Sequence, residues 1–173
     1  MSAFNSWDVY NVLPEHWIEV LRGDAVLGSG GALEVKTWED YIRENVGEYN
    51  DNELPAIGVH VYHGDQEFLP LSKWRQVQYI AVVYCTTRGY ADINLALREA
   101  RQIAVRVERV AVQQSRPNKQ IGDVTDDLEG GLVDSIKVRG AATSSDAVEL
   151  ATQTRGAAEV LIGFGVDYTP ALT

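Results

Sequence analysis

Three histidines, one cysteine and a surplus of carboxylates are the side chains of this 173-residue chain that could bind a metal, move a proton or attack a carbonyl. Zinc hydrolases need two histidines one helical turn apart around a glutamate, and serine hydrolases need a Gly-x-Ser-x-Gly elbow. Neither pattern occurs. His60 and His63 stand three residues apart at the end of an alternating stretch, a spacing that sends their rings to opposite faces of a strand. With His16 they read as surface histidines. Cys85 is alone, which rules out an internal disulfide and a cysteine-based metal site, and its apolar neighbours make it a buried, inert thiol. Between Glu34 and Glu67 nine acids (34, 39, 40, 44, 48, 51, 53, 65, 67) face only Lys36 and Arg43. Such an excess could hold a hard cation, but it lacks the alternate-position ligands of a calcium loop and reads as a solvated acidic face. Gly28-Ser29-Gly30-Gly31 could suggest a phosphate loop. No Gly-Lys-Ser/Thr follows it and no long apolar strand precedes it, so it reads as a turn. Whether two carboxylates converge in an apolar pocket depends on the fold and not on spacing. No catalytic residue, cofactor or metal is expected.

The net charge of −10 and pI near 4.7 argue against coating nucleic acid or docking on anionic lipid, since both rest on Lys and Arg. An acidic wall past which DNA slides is compatible with that charge. A hydrophobic share of 45% in 173 residues suits one domain, 1–173, with a real core. Met1–Asn11 has no basic start leading into an apolar run, and no stretch approaches the roughly 20 apolar residues that span a bilayer. A soluble protein of the cytoplasm is expected.

The longest helical pattern runs from Arg88 to Gln114. Ile93, Leu97, Ala100, Ala104, Val107 and Ala111 form one stripe, widened by Ile103 and Val110, with Asp92 placed to cap its start. An N-terminal helix is expected over about 5–22, with Pro14 in its first regular turn and Gly23 as its stop. A short helix is expected near Trp38–Val46, and His63-Gly64-Asp65 as a turn. Ile57–Tyr62 alternates as a half-buried strand. Val77–Thr86 is apolar on both faces and belongs in mid-sheet, covered above and below. After the Ser115–Asn118 terminator and an acidic loop from Asp123 to Gly131, Leu132–Arg139 alternates again. Gly156–Tyr168 places Ala158, Val160, Ile162 and Phe164 on one face, expected to pack under the long helix. Residues of about 140–155 are rich in Ala, Ser and Thr and read as a mobile loop that orders on a partner. The fold expected is α+β: a mainly antiparallel sheet of about four strands, core about 54–168, covered by the long helix.

This order of elements resembles the tail terminator (tail completion) proteins of long-tailed bacteriophages. Leu54-Pro55-Ala56-Ile57-Gly58-Val59 is similar to their proline-led first strand, Val77–Thr86 to the second and Ala91–Val112 to the central helix. Leu132–Val138 with Ala157–Tyr168 is similar to the closing hairpin. The Gly28–Gly31 turn and the acidic stretch before Pro55 look like an insertion. The resemblance implies a non-enzymatic virion protein, assembled in the host cytoplasm. It would form a six-membered ring at the head-proximal end of the tail tube, stop tube growth and offer a surface to the head connector or stopper. Its partners would be itself, the tube protein and the connector, and DNA would pass through without specific binding. The residues agree in their charge separation, since Arg88–Lys119 carries seven basic residues against three acids while the neighbouring loops are acidic. Self-assembly is therefore expected through Arg98, Arg101, Arg106 and Arg109, with Ala142, Thr143, Ser144 and Ser145 from the small-residue segment. Another neck or stopper protein, or a small acidic enzyme or ligand-binding domain, are the alternatives.

Overall fold

Leu13, Trp17 and Leu21 recur at four-residue steps, and all three are fully buried, so the helix that carries them lies with that stripe against a core. That helix, α1 (Ser6–Arg22), runs through Pro14. In the computed structural model, which describes residues 6–68, 75–114 and 133–168, five strands and one longer helix follow. These are β1 (Thr37–Glu39), β2 (Ala56–Phe68), β3 (Arg75–Tyr90), α2 (Ile93–Gln114), β4 (Val133–Glu149) and β5 (Thr154–Tyr168). The class is α+β, with both helices on one face of the sheet.

The strands lie in the order β1-β2-β3-β5-β4. β1 runs parallel to β2, and every other neighbouring pair is antiparallel. The sheet thus has five strands where about four were expected. The extra one is β1, in the stretch expected to be a short helix. Lys36 and Thr37 donate their N–H groups to Pro55 O at 2.8 and 3.4 Å, which fixes an extended start, and Trp38 packs against the core. The residues read as a turn at His63-Gly64-Asp65 instead continue β2 through a register shift between His63 and Gln66.

Alternation sorts the sheet into two faces. Ile57, Val59 and Val61 of β2, Tyr79, Ala81, Val83 and Cys85 of β3, and Ala158, Val160 and Ile162 of β5 form one core with both helices. Of Phe164, expected in the same row, the side chain lies outside the described residues. The opposite face is only partly covered: Val82 is buried, but Tyr62, Ile80 and Leu161 are 52, 42 and 37% exposed. Cover above and below, expected for Val77–Thr86, holds in full only on the helical side.

The 140–155 region, expected to be a mobile loop, is instead the second half of β4. It pairs residue by residue with β5 from Ala141↔Ile162 to Glu149↔Thr154, and Leu150–Gln153 closes the hairpin, Leu150 N–H donating to Gln153 O at 2.7 Å. Its small, polar residues lie beside the flank of α2. They carry no apolar signal because the contact there is made by hydrogen bonds, Arg101 Nε to Ser145 Oγ at 3.3 Å and Thr143 Oγ1 to Glu108 Oε2 at 2.9 Å. α2 starts at Ile93 and not at 88, because Gly89 and Tyr90 still pair with Arg155 and Thr154.

Candidate functional site

α2 begins on Asp92, whose carboxylate accepts the Asn94 N–H at 2.8 Å and whose carbonyl accepts the Leu95 and Ala96 N–H groups. The stripe from Ala96 to Ala111 faces the sheet and is buried. Half a turn round the helix, Arg98, Val105 and Arg109 point away from the sheet, and all three are exposed. With Arg101, Arg106, Leu97 and the neighbouring Leu33 they line an open groove of about 810 Å³. It has an apolar floor and a rim of guanidinium groups.

The four arginines expected at an interface do not play one part. Arg106 is bound within its own chain, its Nη2 and Nε 2.6 and 2.9 Å from the Asp24 carboxylate. Asp24 also accepts the Val26 and Leu27 N–H groups, so the pair ties the turn after α1 to α2. Burial pushes the Asp24 carboxyl up, but Arg106 and those two N–H groups outweigh it and hold the carboxyl below its usual range. Arg101 meets Ser145 at the flank, and Thr143 lies beside it. Arg98 and Arg109 face outward over the groove. Ser144 pairs with Glu159 in the alternation of the opposite sheet face, so it lies away from the arginines. Ala142 pairs with Leu161 in the ladder, and its side chain lies outside the described residues.

A second arrangement, not foreseen from the sequence, sits on that opposite face. The chain from Asp40 to Ile42 crosses Gly58 so closely that a Cβ there would overlap Tyr41 O. The lobe that follows is organised on Arg43. Its guanidinium binds Glu39 at 2.6 Å and Glu53 at 3.2 Å, donates to Glu48 O at 3.2 Å and stacks 4.0 Å from the Tyr49 ring centroid. Tyr41 and Tyr49 both donate their hydroxyls to Glu39, at 3.0 and 2.9 Å. The base of the lobe is held by Arg155, itself buried, which donates to Val46 O, Tyr49 O and Asp51 Oδ1 at 2.7, 2.8 and 2.8 Å. The acidic stretch is therefore not simply solvated, since Glu39, Asp51 and Glu53 are paired. Asp40, Glu44 and Glu48 remain exposed, beside a Tyr41 that is 52% exposed. Arg43 was visible only as one of two bases, with Lys36, among nine acids. Nothing in the sequence marked Arg155.

The electrostatics of the lobe predict acid sensitivity. Burial raises the Glu39 carboxyl, but hydrogen bonds from Arg43, Tyr49 and Tyr41 lower it further than burial lifts it. Asp51 is lowered by Gln153 and Arg155, and Glu53 by the Asn50 N–H and Arg43. Carboxyls depressed in the fold contribute stability that is present above their unfolded values of 3.8 and 4.5 and lost as pH falls through the folded ones. The melting temperature is expected to hold from neutral pH down to about pH 5 and to drop below about pH 4. Amides of residues 39–53 should lose exchange protection first. A melting temperature flat to pH 3 would contradict this network.

Cys85 is fully buried and its thiol is pushed up to about 12 by burial. His16, expected at the surface, is buried on α1, whose inner stripe it adjoins. His60 is half-buried, its ring 4.4 Å from that of Tyr62 and at 74° to it, and the His63 side chain lies outside the described residues. Among the described residues no three His, Cys, Asp or Glu side chains gather as a metal site, and no helix is long and apolar enough to cross a membrane. The sequence matches no protein-family model, and no curated protein matches it.

Proposed function

We propose that this chain is a ring-forming structural protein of the phage tail-terminator type, one that caps the head-proximal end of a tail tube and joins it to the head. The observation that carries this reading is the placement of unlike charge on the two sides of one sheet. Guanidinium groups rim the outer side of α2, and exposed carboxylates stand on the lobe across the opposite face. Complementary patches on different sides of a subunit make a heterologous contact, which closes into a ring when its rotation allows. The element order α1, β2, β3, α2, β4, β5 is also the order on which the resemblance rests.

Light scattering on the purified chain is expected to give an oligomer, six subunits by the resemblance. Negative-stain images of the chain mixed with tube protein should show tubes closed at one end. A monomer at all concentrations, or tubes that keep growing in its presence, would remove the proposal.

A further inference from the structure

We infer that the arginine groove on α2 receives the Asp40–Glu48 lobe of a second copy of this chain, with Tyr41 seated between the Arg98 and Arg109 guanidinium groups. The inference rests on the ring-forming reading and names the contact that would build the ring.

Each half of the contact is already formed within one subunit. Arg98 and Arg109 stand three turns apart, about 16 Å along the helix axis, with exposed Val105 between them. Arg106, the arginine nearest the turn after α1, is neutralised by Asp24. The positive charge offered to a partner is therefore that of the outward guanidinium groups. On the other side of the sheet, Tyr41 projects with half its surface exposed while its hydroxyl is held by Glu39. An aromatic ring fixed before binding loses little freedom on docking, which suits it as an anchor. Asp40 and Glu44 flank it, and their carboxylates are not among those bound by Arg43 or Arg155. The ring would meet the apolar floor of Leu33, Leu97 and Val105, and the carboxylates would meet the arginine rim. Apolar burial at the centre supplies affinity, and the charged rim supplies register and rate.

The contact is heterologous: a subunit gives its lobe to one neighbour and its groove to the other. Two charge-reversed variants of the full chain test it. In one, Arg98→Glu and Arg109→Glu make the groove acidic. In the other, Asp40→Arg and Glu44→Arg make the lobe basic. Each alone should raise the concentration for half-assembly about tenfold or more, with melting temperatures near wild type because all four positions are exposed. Mixed in equal amounts they should assemble again, because each then offers the other a complementary surface. The inference is overturned if either variant assembles like wild type, or if the mixture stays dissociated. Wild-type rings together with unaffected variants would leave ring formation standing and remove only this contact. A wild-type chain that is always monomeric would remove both.

Discussion

Arg155→Met is expected to cost about 2–4 kcal/mol of stability, because two carbonyls in a buried site lose their donor at about 1–3 kcal/mol each. The guanidinium sits in a place where water cannot replace it, and it satisfies the Val46 and Tyr49 carbonyls while pairing with Asp51. Methionine fills comparable volume but donates nothing, so both carbonyls lose their partner. The loss should be local in origin. β5 keeps its ladder, and Arg43 keeps Glu39 and Glu53, but the lobe loses its bonds to Arg155 and keeps that of Asp51 to Gln153. Urea denaturation measures the cost, and hydrogen exchange should show residues 46–51 opening before the core. A change under about 1 kcal/mol would mean that the lobe stands on the Arg43 network alone.

This dependence explains which parts of the molecule could be read from the chain and which could not. The stripes of α2 and β5 were legible because burial there is apolar and periodic: Ala100 to Ala111 and Ala158 to Ile162 are buried where spacing put them, whereas Ile93, at the head of the same stripe, is 42% exposed and Leu97 borders the groove. β4 beyond Gly140 was not, because its partner on the helix side is hydrogen-bonding side chains. Ala, Ser and Thr carry no alternation for the eye to follow, and the strand is specified by its register with β5. For the same reason, replacing residues 142–153 by a short link would remove half a paired edge strand and not a free arm. The arginines of α2 were legible as a face, but their division of labour was not. That Arg106 is spent on Asp24, 82 residues away, depends on how the turn after α1 docks. Arg155 gave no signal because a single basic residue at the start of a strand is ordinary until the chain at 46–51 is brought over it.

Gly156→Val is expected to be as damaging, by about 3 kcal/mol or more, and by a different route. A Cβ at this position would run into Ala96 O and press on the Ala100 Cβ, both on the buried face of α2. Backbone cannot yield as a side-chain tip does, so the first turns of the helix must lift off β5. The Gly156 N–H is also held by the buried Thr87 hydroxyl at 2.8 Å, where the β3–β5 register shifts between Thr86 and Gly89. That bond resists any slide of β5 that would relieve the clash. Lifting α2 would shift Arg98 relative to the turn at Leu33, so the groove should change before the fold is lost. At a temperature where most of the variant is still folded, assembly is expected to be impaired beyond what its folded fraction accounts for. Alanine, with only the Cβ, should lie between glycine and valine in both effects. If Gly156→Val melts within a degree or two of wild type and assembles normally, α2 does not need its close seat on β5, and the link from this glycine to the arginine face is wrong.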